Sequence, residues 1–271
     1  MSSAAVPKPV PKPVPQPVPN SSSKPVPRSE FWSTHFTGLA VDNERSDKKL
    51  DFSNERVMIQ NFAFILESLG DLVGKRVVDC ACGSGTLTRL LHTLGAEVHG
   101  FDFVQKTIDE HRSRFPDIHW TCDNLEEWAK GSEEASFDIV IASEVLQYVD
   151  FETVAQQLHR TVRPGGRLVI TIPNSDCPIV RRAAERFDGR YLGISLADIV
   201  GLTQRVFSTS SCLWRGVRFR EDQTLFPYEA SPWCDASLLG QPERANRIQL
   251  VVQCPVERNS FRFRGNQHAE D

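Results

Sequence analysis

Three observations predict that this 271-residue chain folds as an α/β structure around a mainly parallel sheet. Short apolar runs alternate with segments of helical periodicity from about residue 54 to residue 172. A small-residue turn, Ala81 to Gly85, follows the first of those runs directly. The composition, 40% hydrophobic, is that of a globular chain long enough for one full core. Strands separated by helices of about 10–15 residues build βαβ units, whose strands run parallel.

The N-terminus is a different material. Nine of the 17 prolines fall within the first 27 positions, and VPKPVPKPVPQPVPN (Val6 to Asn20) carries proline at every second residue. That fixes φ at half the positions and removes half the amide donors, so neither helix nor central strand can form. Residues 1–29 are expected to be a disordered tail, in which the Val6 to Asn20 tract has polyproline II character and reaches roughly 40 Å at about 3.1 Å per residue. It serves either as a solubilising linker or, through its PxxP spacing, as a ligand for an SH3-like or WW-like partner. Lys8, Lys12, Lys24 and Arg28 give it +4, against a net −4 for the whole chain. The acidic remainder argues against a nucleic-acid surface.

Each later element has its own signal. Val57, Met58, Phe62, Ile65, Leu66 and Leu69 recur at helical spacing and stop at Gly70, which predicts a helix over Asn54 to Leu69. Arg76 to Cys80 is a strand, and Leu87, Leu90, Leu91 and Leu94 share a helical face that ends at Gly95. Val98 to Phe101 is a strand, Val104 to Phe115 a helix stopped by Pro116, and Ile118 to Thr121 a third strand. Phe137 to Ala142 (FDIVIA) is a buried strand and Phe151 to Val162 a helix. Arg167 to Ile172 is a strand opened by the ProGlyGly turn at 164–166. Beyond Pro173 the rhythm breaks: Ser195 to Gln204 reads as a helix, Leu213 to Phe219 as a strand, Arg247 to Cys254 as a terminal strand, and 260–271 as a frayed end.

No apolar run approaches the roughly 18–20 residues that span a bilayer, and the N-terminus has no apolar secretory core, so a cytoplasmic protein is expected. Seven cysteines without a CxxC pair suggest reduced thiols rather than disulfides or a metal site.

The chemistry concentrates at the first two strand ends. Asp79, then Ala81, Gly83 and Gly85, then a helix, let backbone amides and a helix N-terminus approach a nucleotide-like ligand. Asp102 ends the next strand, 17 residues past Gly85, where a carboxylate can accept both hydroxyls of a ribose. A dinucleotide fingerprint needs glycine at 86 or 88, and both are threonine. Asp79 itself has two readings, contact with ligand or a cap on the loop amides.

The run VVDCACGSG (Val77 to Gly85) resembles the first motif of class I S-adenosylmethionine-dependent methyltransferases, with Ala81 in place of the commoner first glycine. HGFDF (His99 to Phe103), CysAspAsnLeu (Cys122 to Leu125), FDIVIASEVLQYV (Phe137 to Val149) and RTVRPGGRLVITIPN (Arg160 to Asn174) resemble the family's later motifs in their order. The match is nearest to the small-molecule branch typified by ubiquinone-biosynthesis-type O-methyltransferases. It implies a Rossmann-like seven-stranded, mainly parallel sheet with helices on both faces in a single domain, 30–259. Within it, 30–70 forms an N-terminal lid and helix, 75–174 the cofactor core, and 178–242 a substrate cover.

The resemblance implies S-adenosylmethionine as cofactor. Asp79 and the Ala81, Cys82, Gly83 and Gly85 loop take its methionine portion, and Asp102 its ribose. Phe103 packs on adenine, Asp123 accepts from the adenine amine beside Asn124 and Leu125, and Ser143, Glu144 and Val145 line the sulfonium side. Cys80 and Cys82 equally read as packing residues. The acceptor is expected to be a small molecule methylated on oxygen. N-methylation of an amine, or an idle cofactor-binding module tethered by the tail, are the alternatives. Catalytic candidates are Glu144, Tyr148 and His35. Each has a plainer reading: Glu144 as a cofactor contact, Tyr148 as helix packing, His35 as a surface residue in FWSTHF (Phe31 to Phe36). The aromatics of the cover, Tyr191, Trp214, Phe226, Tyr228 and Trp233, either meet substrate or close the core.

Overall fold

The computed structural model describes residues 28–42, 55–218, 229–231, 233–234 and 242–256. Expectations for the proline tract, for Phe226 and Tyr228 and for the C-terminal end lie outside the described residues.

Among the described residues two helices precede the sheet, α1 (Arg28–Asp42) and α2 (Glu55–Glu67), and strand and helix then alternate. The alternating part runs β1 (Arg76–Cys80), α3 (Thr86–Thr93), β2 (Glu97–Asp102), α4 (Gln105–Arg114), β3 (His119–Cys122), α5 (Leu125–Gly131), β4 (Phe137–Ser143), α6 (Phe151–Arg160) and β5 (Val162–Pro173). It ends with α7 (Pro178–Arg186), α8 (Leu196–Val206), β6 (Ser211–Arg218), the two-residue β7 (Glu229–Ala230) and β8 (Arg247–Gln253). One sheet holds all the strands in the order β3-β2-β1-β4-β5-β8-β6-β7. The first five are parallel, and β8 enters antiparallel between β5 and β6. Seven strands of useful length match the expected fold; the eighth is the short edge strand β7.

Both faces are covered, which is why these strands read as near-continuous apolar runs. On β4, Val140 and Ala142 face one core with α5, α6 and α8, while Ile139 and Ile141 face the other with α2, α3 and α4. β5 divides in the same way, Leu168, Ile170 and Ile172 against Val169. This period of two follows from the pleat.

The structure corrects several boundaries. The ProGlyGly turn does not precede β5 but lies inside it, at an irregularity where the β4 pairing shifts register between Phe137 and Ile139. Gly166 is required there, because a Cβ would sit 2.5 Å from the Asp138 carbonyl oxygen. The helix expected to reach Val162 stops at Arg160 and hands Val162 to the strand. α1 begins inside the expected tail, and α5 and α7 were not foreseen. α5 has seven residues and is capped by Asn124, whose Oδ1 accepts from the Glu126 amide at 2.8 Å. α7 opens on Pro178 in its first turn, where the missing N–H costs nothing.

Asp79 on β1 pairs with Gly100 and Ile141, so β1, β2 and β4 end close together at the carboxyl edge. The chain moves from β1 outward to β2 and β3, then returns to β4 on the other side. That reversal opens a crevice at the strand ends, where ligands of open α/β sheets bind. No helix among the described residues is long and apolar enough to cross a membrane.

Gly166→Ala is expected to lower stability by about 1–3 kcal/mol through overpacking, read as a lower midpoint in thermal denaturation. An unchanged midpoint would mean that the Asp138 carbonyl moves aside freely.

Candidate functional site

The β1 end is a buried acid followed by a turn of unusual backbone. Ala81, Gly83 and Gly85 have φ of 55°, 50° and 66°, left-handed values that only glycine adopts without strain. Gly85 leads into α3, and a Cβ there would meet His111 Nε2 and Trp120 Cη2 at 2.9 Å. His111 Nε2 is itself 2.9 Å from the Gly83 carbonyl oxygen, and the Cys82 amide donates to the Phe101 carbonyl at 2.8 Å. The turn is therefore pinned from β2 and α4.

Asp79 is 3% exposed and accepts a 2.6 Å hydrogen bond from the Thr88 hydroxyl. Burial raises its pKa to about 7, with Thr88 working against the rise and Asp102 adding to it. Capping of the turn falls to Asp102 instead. Its Oδ2 accepts from the Gly83 amide and its Oδ1 from the Val104 amide, each at 3.0 Å. Burial pushes Asp102 up from its ordinary value, and the Val104, Gly83 and Phe103 amides oppose the shift.

At the β4 end, Glu144 is a non-glycine residue at φ 55°. Its amide donates to the Thr171 carbonyl at 3.0 Å and its carbonyl accepts from Gln147 Nε2 at 2.7 Å, so the strained backbone is held on both sides. Its carboxylate meets Arg247 Nε, 2.7 Å from each oxygen. Burial pushes the Glu144 carboxyl up and the guanidinium pulls it back. For Arg247, burial opposes the charge, but Glu144, Tyr191 and Tyr148 together outweigh it and keep the guanidinium above its ordinary value. A pair this close in a desolvated place is held charged on both sides.

A cavity runs along these strand ends. Asp102, Phe103, Val104 and Thr107 line one end; Asp79, Ala81, Cys82, Gly83 and Leu87 the middle; Ser143, Glu144, Val145 and Tyr148 the other end. Phe36 of α1 and Asn61 and Phe62 of α2 complete it. Asn61 is 1% exposed. Its Nδ2 donates to Ser143 Oγ at 3.0 Å, while its Oδ1 has no partner among the described residues. A buried oxygen left this way costs about 1–3 kcal/mol, which a donor on a ligand would recover.

Residues 77–166 match the family model of the methyltransferase domain. The match to ubiquinone biosynthesis O-methyltransferase of Bos taurus is 41% identical over 112 residues, 38% of this chain and 30% of that protein. The match to the enzyme of that name from Cupriavidus pinatubonensis is 34% over 118 residues, 40% and 45% of the two chains. The chain thus spans less than half the length of these two relatives. Among solved structures, the Burkholderia thailandensis 1,6-didemethyltoxoflavin-N1-methyltransferase, with its substrate and S-adenosylhomocysteine bound, superposes with a TM-score of 0.57. The identity is 14%, over 86% of this chain and 93% of that one.

The expected residues divide. Asp79, Ala81, Cys82, Gly83, Asp102, Phe103, Ser143, Glu144, Val145 and Tyr148 line the cavity; Gly85, Asp123, Asn124 and Leu125 do not. Asp123 donates its amide to the Asp102 carbonyl at 3.1 Å, and its carboxylate accepts from the Asn124 amide at 2.8 Å. It adjoins the Asp102 end of the cavity without reaching it. Asn124 is occupied in capping α5, and Leu125 is core.

His35 does not reach the cavity either. Its ring packs among Phe31, Trp32, Phe36 and Phe187 with centroids 5.2–6.5 Å apart, a place among aromatics rather than beside a reacting atom. Glu144 is present, but as half of an ion pair rather than a free carboxylate. Sequence reasoning missed Phe36, Asn61, Thr88 and Arg247. Asn61 had a signal, a polar residue on the buried stripe of α2 between Met58 and Ile65. Arg247 had none.

The Asp79 shift has a stability consequence. Its folded value, about 7, lies above the ordinary 3.8. The ligand-free protein therefore keeps the full contribution of this group below about pH 4 and loses it as the pH rises to about 7. Thermal melts of Asp79→Asn and the parent at pH 5, 6, 7 and 8 are expected to show a difference that widens in the variant's favour with pH. A difference that stays constant would show that Asp79 titrates normally.

Proposed function

We propose that this chain transfers a methyl group from S-adenosylmethionine to an oxygen of a small-molecule acceptor. The observation that carries the reading is the continuous cavity from Asp102, past the Asp79 and Ala81–Gly83 turn, to Glu144. Its donor set fits the cofactor. Asp102 has lone pairs beyond those given to Gly83 and Val104 for ribose hydroxyls, and Phe103 offers an apolar surface for adenine. Asp79 and the unpartnered Asn61 oxygen would receive the methionine portion.

Bound S-adenosylmethionine supplies an electrophilic methyl group. The remaining tasks belong to the chain: to place a nucleophile in line, to exclude water and to take a proton from a hydroxyl. Phe36, Phe62, Val145 and Tyr148 provide apolar walls that keep water out. Glu144, held as an anion by Arg247 at the far end of the cavity, is positioned to accept the proton. One observation favours a second reading: both Glu144 oxygens already lie against Arg247 Nε, and a neutral amine acceptor would need no base.

Calorimetric titration is expected to show binding of S-adenosylmethionine and none of NADH; no heat with the former would overturn the proposal. Asp102→Ala is expected to lose about 1–3 kcal/mol of that affinity, roughly 5- to 150-fold, and unchanged affinity would remove Asp102 from the ribose site.

Incubation with methyl-labelled cofactor and a metabolite extract, followed by isolation of the labelled product, identifies the acceptor. With an oxygen acceptor, Glu144→Gln is expected to cut turnover about 100-fold or more at undiminished cofactor affinity. Turnover that persists in this variant would point to the amine reading.

A further inference from the structure

The sheet edge beyond β4 carries a cation that cofactor binding does not use. Arg247 opens β8, opposite Pro173 of β5 and Val217 of β6, so its backbone is fixed in two ladders. Its side chain is 16% exposed. Of the five N–H donors of the guanidinium, Nε serves Glu144 and Nη1 donates to the Asn246 carbonyl at 2.9 Å. No described residue receives a hydrogen bond from Nη2.

Aromatic side chains pack beside this edge. Tyr191 and Tyr148, the latter a residue of the cavity lining, help keep the Arg247 guanidinium above its ordinary value. Their rings are 6.0 Å apart. Trp32 packs on Tyr148 at 4.5 Å and Phe187 packs on Tyr191 at 6.2 Å, forming an aromatic roof. The Leu192 amide donates to the Gln147 carbonyl and the Trp32 indole N–H to the Arg190 carbonyl, which ties the roof to the β4 end and to α1. A planar guanidinium with one edge committed and another open, in a place poor in water, suits a second carboxylate better than a neutral group.

We propose that Arg247 is the acceptor-recognition residue of this domain and that the acceptor carries a carboxylate group, received on the open Nη2 edge. Arg247 then stands between two carboxylates, Glu144 on the Nε side and the acceptor on the other. Glu144 tempers the affinity of the site by neutralising Arg247 in advance. This inference rests on the methyltransferase reading for the identity of the adjoining cavity.

The test uses the full chain loaded with S-adenosylhomocysteine and titrated with two pairs of probes, benzoate against benzamide and phenylacetate against phenylacetamide. Each pair keeps its shape and differs in charge. The carboxylates are expected to bind at least tenfold more tightly than the amides. Arg247→Met is expected to abolish that preference without changing amide binding, and Arg247→Lys to restore part of it. Glu144→Gln is expected to tighten carboxylate binding several-fold by freeing Arg247 of its internal counter-charge, an effect that a merely structural ion pair would not produce.

S-adenosylhomocysteine affinity within twofold of the parent shows that each variant is folded. If Arg247→Met fails that check, the Lys and Gln variants decide. Equal binding of carboxylate and amide, no binding of either, or looser carboxylate binding in Glu144→Gln overturns this inference alone. Failure of the parent to bind S-adenosylhomocysteine overturns the proposed function as well.

Discussion

One carboxylate holds the working edge of the sheet together. Asp102 takes the Gly83 amide on one oxygen and the Val104 amide on the other, joining the turn after β1 to the turn after β2. Three left-handed residues in five make the first turn costly to hold, and Asp102 is buried against its own preference to do so. The geometry that offers the remaining lone pairs to a ligand is thus the geometry that keeps the turn in place. Scaffold and binding group are the same atoms, so neither role can be removed by mutation without disturbing the other.

Strain is stored at both ends of that edge. Ala81 and Glu144 each sit near φ 55°, at a cost on the order of 1–3 kcal/mol apiece. Packing keeps Ala81 there, and the hydrogen bonds through Thr171 and Gln147 keep Glu144. The return is placement: Ala81 lets the chain turn sharply beside Asp79, and Glu144 turns its carboxylate towards β8 instead of along its own strand. An extended Glu144 would have no such line to Arg247.

What the sequence made legible follows the range of the physics involved. β1, β2 and β4 were readable because a strand covered on both faces needs an unbroken apolar run, and Asp79, Asp102 and Glu144 because each stands at the end of one. The helices α5 and α7 were not, since seven or nine residues are too few for a periodic signal to outweigh local polar residues such as Glu126 and Glu127. Asp123 was placed correctly along the chain yet stops short of the cavity, because its carboxylate serves the next amide. The Glu144–Arg247 pair lies 103 residues apart in sequence. It exists only because β8 folds back antiparallel beside β5, a pairing that no local pattern announces. The turn after β1 and the acids at the strand ends are local and were legible; the contact of β8 with the β4 end is not local and was not.

Phe36 has a reach out of proportion to its size. Its ring lies 6.4 Å from Phe103 at one end of the cavity and 5.2 Å from Tyr148 at the other, and it is carried by α1, ahead of the sheet in sequence. A single side chain is therefore a wall common to both ends of the cavity. No substitution at Phe36 can reshape the Asp102 end of the cavity while leaving the Tyr148 end untouched.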